Sequence, residues 1–363
     1  MERRAGPAAG WMGRRSHRLL FSFSACSQQW PWRARGVATL AAPMASTNQT
    51  PAVRIERVQK RFGQVQAVKG ISLEIPERSL CGFLGPNGAG KSTTIRMIMS
   101  IIAPDAGRVE VLGSSAIAMK DRIGYLPEER GLYRKMKVGE FVGYMARLKG
   151  VHPTGLARRI DDWLERLALP GVSKRRCEEL SKGQQQKIQL LASIIHAPDL
   201  LILDEPFSGL DPINGRLVTE LIRSEQARGA TIIFSTHQMH TAEALCDKVV
   251  LINKGEKVLD ATLSELRAKH DDRGLVCEPR GDARAFADRV RTEGIALATR
   301  VHDNGTVDLD LADGHDADSA MSAVLGLAPM RSLALRRMNL DDLFVELVGA
   351  GDGEIKKGAR IDA

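Results

Sequence analysis

The nine residues Gly85-Pro86-Asn87-Gly88-Ala89-Gly90-Lys91-Ser92-Thr93 constrain this chain more than any others. They follow an apolar run, Leu80 to Leu84, and precede a helix-like run, Thr94 to Ile102. Strand, Gly-rich loop and helix, in that order, form the setting that the pattern G-x-x-x-x-G-K-[ST] requires. Glycines let the backbone wrap a polyphosphate, whose oxygens then meet a nest of N–H groups at the positive end of a helix. Lys91 is placed to reach the β- and γ-phosphates, and the Ser92 hydroxyl to bind Mg²⁺. A plain Gly-rich turn before a helix would share the composition, but here motif and context agree. The expectation is an α/β fold that binds a nucleoside triphosphate.

A second segment fits the same chemistry. Leu200-Leu201-Ile202-Leu203-Asp204-Glu205-Pro206 is a continuous apolar run ending in two carboxylates, as a strand buried on both faces of a parallel sheet reads. Active sites in such sheets lie outside the carboxyl ends of the strands. Asp204 is then placed to hold Mg²⁺, and Glu205 to orient or deprotonate the attacking water. Two acids in a solvated turn would be the plainer reading for a lone pair. Leu180-Ser181-Lys182-Gly183-Gln184 precedes a helix-like run, Lys187 to Ile195, which sets Ser181 and Gly183 at an anion-friendly helix start. Ser208-Gly209-Leu210-Asp211-Pro212 follows the carboxylates. Another apolar strand, Ala230 to Ser235, leads to His237 at the same sheet edge.

In this order and spacing the segments resemble the ATP-binding-cassette superfamily from about Val53 to Leu266, with Walker A at 85–92, signature at 180–184, Walker B at 200–205, D-loop at 208–211 and switch histidine at 237. The resemblance implies a P-loop cassette with a mixed core sheet, an antiparallel β-subdomain and a helical subdomain at about 135–180. It also implies ATP and Mg²⁺ as ligands. Two cassettes, in a homodimer or heterodimer, would sandwich ATP between Walker A of one and the signature residues Ser181, Gly183 and Gln184 and D-loop Asp211 of the other. Phe62 matches the family's adenine-stacking aromatic, though it could equally be a core residue. Two positions depart from the family pattern. Lys182 puts a cation in the signature, and Glu128 stands where the Q-loop usually has Gln, adding a carboxylate beside Mg²⁺ that cannot donate an N–H. The Glu128 version looks like cassettes of the sodium-efflux and drug-export type.

Between Q-loop and signature, Val138 to Leu148 and Gly155 to Leu169 read as amphipathic helices, with Leu156, Ile160, Trp163, Leu164 and Leu167 on one face. By resemblance this helical unit receives integral membrane permease subunits. Beyond a cassette spanning 47–270 and a linker at Asp271–Gly274, residues 275–350 read as an accessory unit of βαββαβ order, which suggests a small ferredoxin-like α+β fold. Its strand, helix and strand segments are Leu275–Glu278, Asp282–Thr292, Ile295–Val301, Thr306–Leu311, Asp316–Leu325 and Ser332–Arg337. Asn304-Gly305 signals a hairpin, and Asn339 caps a last helix, Leu340 to Val348. Residues 351–363 read as a flexible tail.

The net charge of +8 invites a nucleic-acid partner, but residues 1–46 hold seven Arg and one Glu, so +6 of it lies there. The body has no basic stripe interleaved with aromatics, and nucleic acid is not expected as a partner. That stretch reads as a disordered basic tail, or as residues upstream of a mis-assigned start with translation beginning at Met44 or Met12, or else as an organellar transit segment. Five scattered cysteines without C-x-x-C spacing fit a reducing compartment, and no apolar run reaches the ~18 residues a membrane helix needs. The reading is thus an ATPase subunit at the cytoplasmic face of the cell membrane that powers a separate transporter, with export the expected direction. The alternative is a soluble ATP-driven switch acting on a protein or nucleic acid. Such relatives usually carry two cassettes, coiled-coil insertions or zinc modules, and none of these is seen in the sequence.

Overall fold

The computed structural model describes residues 50–349 apart from 130, 271–273, 313, 337 and 338. The basic stretch 1–46, the linker residues Asp271–Arg273 and the tail 351–363 lie outside the described residues.

Alternating apolar positions make the first sheet, in which β1 (Val53–Phe62) pairs antiparallel with both β2 (Val65–Ile75) and β4 (Ala106–Val111). Ile55 and Val58 are three apart yet face the same core, because a bulge between them carries Arg57 at φ 46°. Near-continuous apolar runs make the parallel strands of the central sheet. Its strands are β3 (Leu80–Leu84), β5 (Ile123–Leu126), β6 (Leu200–Asp204), β7 (Thr231–Thr236), β8 (Lys248–Asn253) and β9 (Glu256–Thr262), in the order β5-β6-β7-β3-β8-β9. The first five run parallel and β9 antiparallel.

Both faces of the five parallel strands are covered, which is why these strands do not alternate in polarity. Cys81, Phe83, Ile202 and Ile233 pack with the antiparallel sheet and α1 (Lys91–Ile98). Leu80, Leu203, Ile232 and Phe234 pack with α2 (Val138–Leu148), α3 (Leu156–Arg166), α4 (Lys182–Ile194), α5 (Pro212–Arg228), α6 (Met239–Leu245) and α7 (Leu263–His270). The apolar stripe of α3 is buried through Leu156, Ile160 and Leu164, with Leu167 capping it. Trp163 is only partly buried and lies under the Arg166 guanidinium, 4.1 Å from its ring centroid.

The structure shifts two helix boundaries. The helix expected over 94–102 already starts at Lys91 and ends at Ile98, where Ser100 turns the chain at φ 56°. The helix expected from Lys187 starts at Lys182, because Ser181 and Gln184 form a reciprocal capping box that brings a polar first turn into the helix.

The C-terminal strands β10 (Gly274–Pro279), β11 (Ala296–Val301), β12 (Val307–Leu311) and β13 (Met330–Leu335) form an antiparallel sheet ordered β11-β12-β10-β13, the ferredoxin-like βαββαβ topology. Helices α8 (Ala283–Thr292) and α9 (Ala317–Leu327) cover one face around Leu275, Cys277, Phe286, Val290, Leu309 and Val324. The last helix, α10 (Leu340–Gly349), packs on α6. Leu340 and Leu343 are buried in the same cluster as Met239 and Leu245, and the Leu340 N–H donates to Glu243 Oε1.

Candidate nucleotide-binding site

The register of the parallel strands assembles the site. Leu84 lies opposite Thr236, and Asp204 opposite Ser235, so the segments following β3, β6 and β7 emerge side by side. This edge collects Gly85–Thr93, Glu205 and His237, as the carboxyl-end rule for open α/β sheets requires.

The loop after β3 can only be built with glycine at its two ends. Gly85 has φ 139°, and a Cβ there would lie 2.0 Å from the Ile252 carbonyl oxygen. Gly90 has φ 108°, and its Cβ would lie 2.6 Å from the Ala67 oxygen. Between them Pro86, Asn87 and Gly88 are exposed and Ala89 is buried, so the outer part of the loop faces outward while its base is anchored. The anchor is the turn between β8 and β9. The Gly255 N–H donates to Ala89 O at 2.9 Å, and Gly255 O accepts from the Lys69 N–H at 2.8 Å. Lys91 Nζ donates to Gly85 O at 2.7 Å and Pro86 O at 3.1 Å, which closes the loop on itself. Burial pushes the Lys91 ammonium below the usual lysine range, and the Glu205, Asp204 and Glu128 carboxylates oppose that shift by favouring its charge. Ser92 and Thr93 follow in the first turn of α1, both partly exposed.

Facing this loop are the two acids. Asp204 is 1% exposed. Its Oδ1 accepts from Ser92 Oγ at 3.3 Å and from Ser235 Oγ, while its Oδ2 is buried with no hydrogen-bond partner. Glu205 is 8% exposed and stands at φ 50°, the left-handed region, and its Oε1 lies 2.9 Å from His237 Nδ1. The acid and the imidazole thus form one pair. Glu128 is exposed, and its influence on Lys91 is electrostatic. Phe62 is 48% exposed at the end of β1, so it is not a core residue.

The signature and D-loop residues are not brought to this loop. Among the described residues no hydrogen bond or ion pair joins Ser181, Gly183, Gln184 or Asp211 to residues 85–93. They gather instead with one another: a Cβ on Gly183 would lie 3.7 Å from Leu210 Cδ2 and 3.9 Å from Asn214 Nδ2. Asp211 caps α5 by accepting from the Ile213 and Asn214 N–H groups, each at 3.0 Å. The Asn214 N–H and the Asn214 side-chain amide, which donates to Oδ2, and then the Ile213 N–H hold the Asp211 carboxyl below the usual aspartate range. Two elements of the site were not assigned from sequence: Ser235, and the turn through Gly255. Ser235 had a visible signal, a hydroxyl beside the histidine at the end of an otherwise apolar strand.

Glycine loop, buried acid pair and strand-end histidine define a P-loop nucleotide site of the cassette type. The family description "ABC transporter" matches residues 68–208, and an AAA domain description matches 174–243. The ABC transporter ATP-binding protein YhaQ of Bacillus subtilis is 39% identical over 297 residues, covering 82% of this chain and 98% of the relative. The daunorubicin resistance ATP-binding protein DrrA3 of Streptomyces coeruleorubidus is 30% identical over 316 residues, covering 85% and 99%. A solved ATP-binding subunit of an ABC transporter superposes with a TM-score of 0.56 at 27% identity, covering 60% of this chain and 92% of that one. The chain belongs to the ATP-binding subunits of ABC transporters.

Proposed function

We propose that this chain hydrolyses ATP as one half of a cassette dimer and drives export through separate integral membrane subunits, bound to them at the cytoplasmic face of the membrane. The carrying observation is the pair Glu205–His237, 2.9 Å apart at the strand ends beside the Lys91 loop. Glu205 orients the attacking water and accepts its proton, and His237, held by Glu205, directs its other ring nitrogen toward the γ-phosphate. Lys91 compensates charge on the β- and γ-phosphates, and the N–H groups of residues 85–93 cradle them. Phe62, free of the core, offers its ring to adenine.

The donors present suit Mg²⁺. Ser92 and Asp204 supply hard oxygens, and the buried, unpartnered Oδ2 of Asp204 is the kind of atom a cation satisfies. Glu128 is a further oxygen near the same charge. Among the described residues no cluster of three or more His, Cys, Asp or Glu forms, so these residues and phosphate oxygens would hold the ion together. Once bound, Mg²⁺ supplies charge neutralisation at the phosphates.

The separation within the chain supports a dimer in which Ser181, Gly183, Gln184 and Asp211 serve the nucleotide of a second cassette. Among the described residues no helix is long and apolar enough to cross a membrane, so transport calls for other subunits. A cavity of about 310 Å³ lined by Tyr125, Pro127, Phe141 and Met145, between Q-loop and α2, offers them an apolar seat. The drug-resistance relative favours export. The test is purification of the tagged full chain from detergent-solubilised membranes. An integral membrane protein should copurify, and ATPase activity of the complex should fall ~10²-fold or more in Glu205→Gln while ATP binding persists. A soluble, partnerless chain, or parental turnover in the variant, would refute the proposal.

A further inference from the structure

We propose that Ser235 is a positioning residue that orients both acids of the site at once, an inference that rests on the ATPase reading above. Ser235 is fully buried on β7, next to Ile233 and Phe234 along the strand and opposite Asp204 of β6. A hydroxyl in such surroundings needs polar partners, and Ser235 has two. A serine Oγ carries one proton and two lone pairs. The Glu205 N–H donates to Oγ at 3.1 Å and takes up an acceptor site. The single proton is then directed to Asp204 Oδ1, with which Oγ is in short contact. The direction of both bonds is fixed.

Two consequences follow. Oδ1 of Asp204 accepts from Ser235 and from Ser92 Oγ, which locks the rotation of the carboxylate and leaves Oδ2 as the atom turned to a ligand. Glu205 sits at φ 50°, a conformation that side chains with a Cβ avoid, and its N–H is pinned there by Ser235. That backbone geometry sends the Glu205 carboxylate to His237 Nδ1. One hydroxyl therefore couples the carboxylate assigned to the cation with the one assigned to the water.

The experiment uses the full chain with Ser235→Ala and Ser235→Cys, which replace the hydroxyl by nothing and by a weaker donor of similar size. ATP affinity in EDTA, Mn²⁺ affinity by electron paramagnetic resonance with a non-hydrolysable ATP analogue, and kcat are measured beside thermal unfolding. For Ser235→Ala we expect metal-free ATP affinity within about twofold of parental, Mn²⁺ binding about tenfold weaker, and kcat down about 10- to 100-fold, the span set by losing a hydrogen bond to a charged group. Ser235→Cys should fall between. A hydroxyl that merely satisfies the strand interior would lower the unfolding midpoint and leave kcat and Mn²⁺ affinity parental, and that result overturns the proposal. If Ser235→Ala does not fold, parental kcat and Mn²⁺ affinity in Ser235→Cys overturn it equally. Glu205→Gln is run in parallel. Parental turnover there refutes the ATPase reading, whereas an inactive Glu205→Gln beside a parental Ser235→Ala refutes only the role of Ser235.

Discussion

Replacing Gly255 by Ala tests whether the turn between β8 and β9 supports the phosphate loop. Gly255 has φ 82°, and a Cβ there would lie 2.8 Å from Ala67 O and 3.1 Å from Ala67 C, both backbone atoms that cannot swing aside. Gly70 is its control: φ is 85° and nothing lies within 4 Å of its Cβ position. Both substitutions carry the left-handed penalty of about 1–2 kcal/mol, offset by a few tenths to 1 kcal/mol from the stiffer unfolded chain. Gly70→Ala should therefore cost about 1 kcal/mol. Crowding adds about 1–3 kcal/mol at Gly255 alone, for a total of about 2–4 kcal/mol. The clash also pushes apart the Gly255 N–H and Ala89 O, now 2.9 Å, and so disturbs the loop. Urea unfolding reads the stability difference, and calorimetry reads ATP affinity, expected to drop about tenfold or more in Gly255→Ala and to stay parental in Gly70→Ala. Equal destabilisation of the two variants, or parental ATP affinity in Gly255→Ala, would refute the reasoning.

Lys91→Ala should lose most ATP affinity while circular dichroism stays parental, because it removes the charge set against the β- and γ-phosphates; unchanged calorimetric affinity would show that the loop does not bind phosphate. Glu128→Ala should weaken stimulation of hydrolysis by the reconstituted membrane subunits more than the basal rate, whereas Glu128→Gln keeps an oxygen and should retain ATP binding; a basal and stimulated rate both untouched in Glu128→Ala would make Glu128 a solvated loop acid. Burial pushes His196 down to about 4 from the usual 6.5, so the unfolded chain binds its proton more readily than the folded one. This contribution is present above pH 6.5 and is lost as pH falls from about 6.5 to about 4. Urea midpoints of the parent should thus decline across that window more steeply than those of His196→Gln, and parallel curves would count against a half-buried, neutral imidazole.

Much of the fold is visible in residue patterns. The runs Leu80–Leu84 and Leu200–Asp204 are strands because both faces of the sheet are covered, and Val138–Leu148 is a helix with the bounds its periodicity indicates. Boundaries slipped where polar residues open a helix. Lys182–Gln186 lacks an apolar stripe and becomes helical through the Ser181–Gln184 cap, and Lys91 belongs to α1 although its motif reads as loop. The expected hairpin at Asn304-Gly305 forms, but as a five-residue connection in which Val301 pairs with Val307, because the Asn304 side chain accepts from both the N–H and the hydroxyl of Thr306. The loop and the two acids were legible because each belongs to a contiguous segment. Ser235 lying opposite Asp204, and the Gly255 turn under Ala89, arise only from strand register and from contacts between distant segments. The docking of α10 onto α6 left no local trace, since its apolar face suits any partner.

That docking bears on how the chain is made. The face of α6 around Met239 and Leu245, just past His237, is closed by Leu340 and Leu343, about a hundred residues later in the chain. During synthesis the segment around His237 leaves the ribosome with this face uncovered, and it stays so until the four-stranded sheet and α10 have also emerged. Without α10, the apolar face of α6 around Met239, two residues past His237, would be left uncovered at the strand ends that carry residues 85–93 and Glu205.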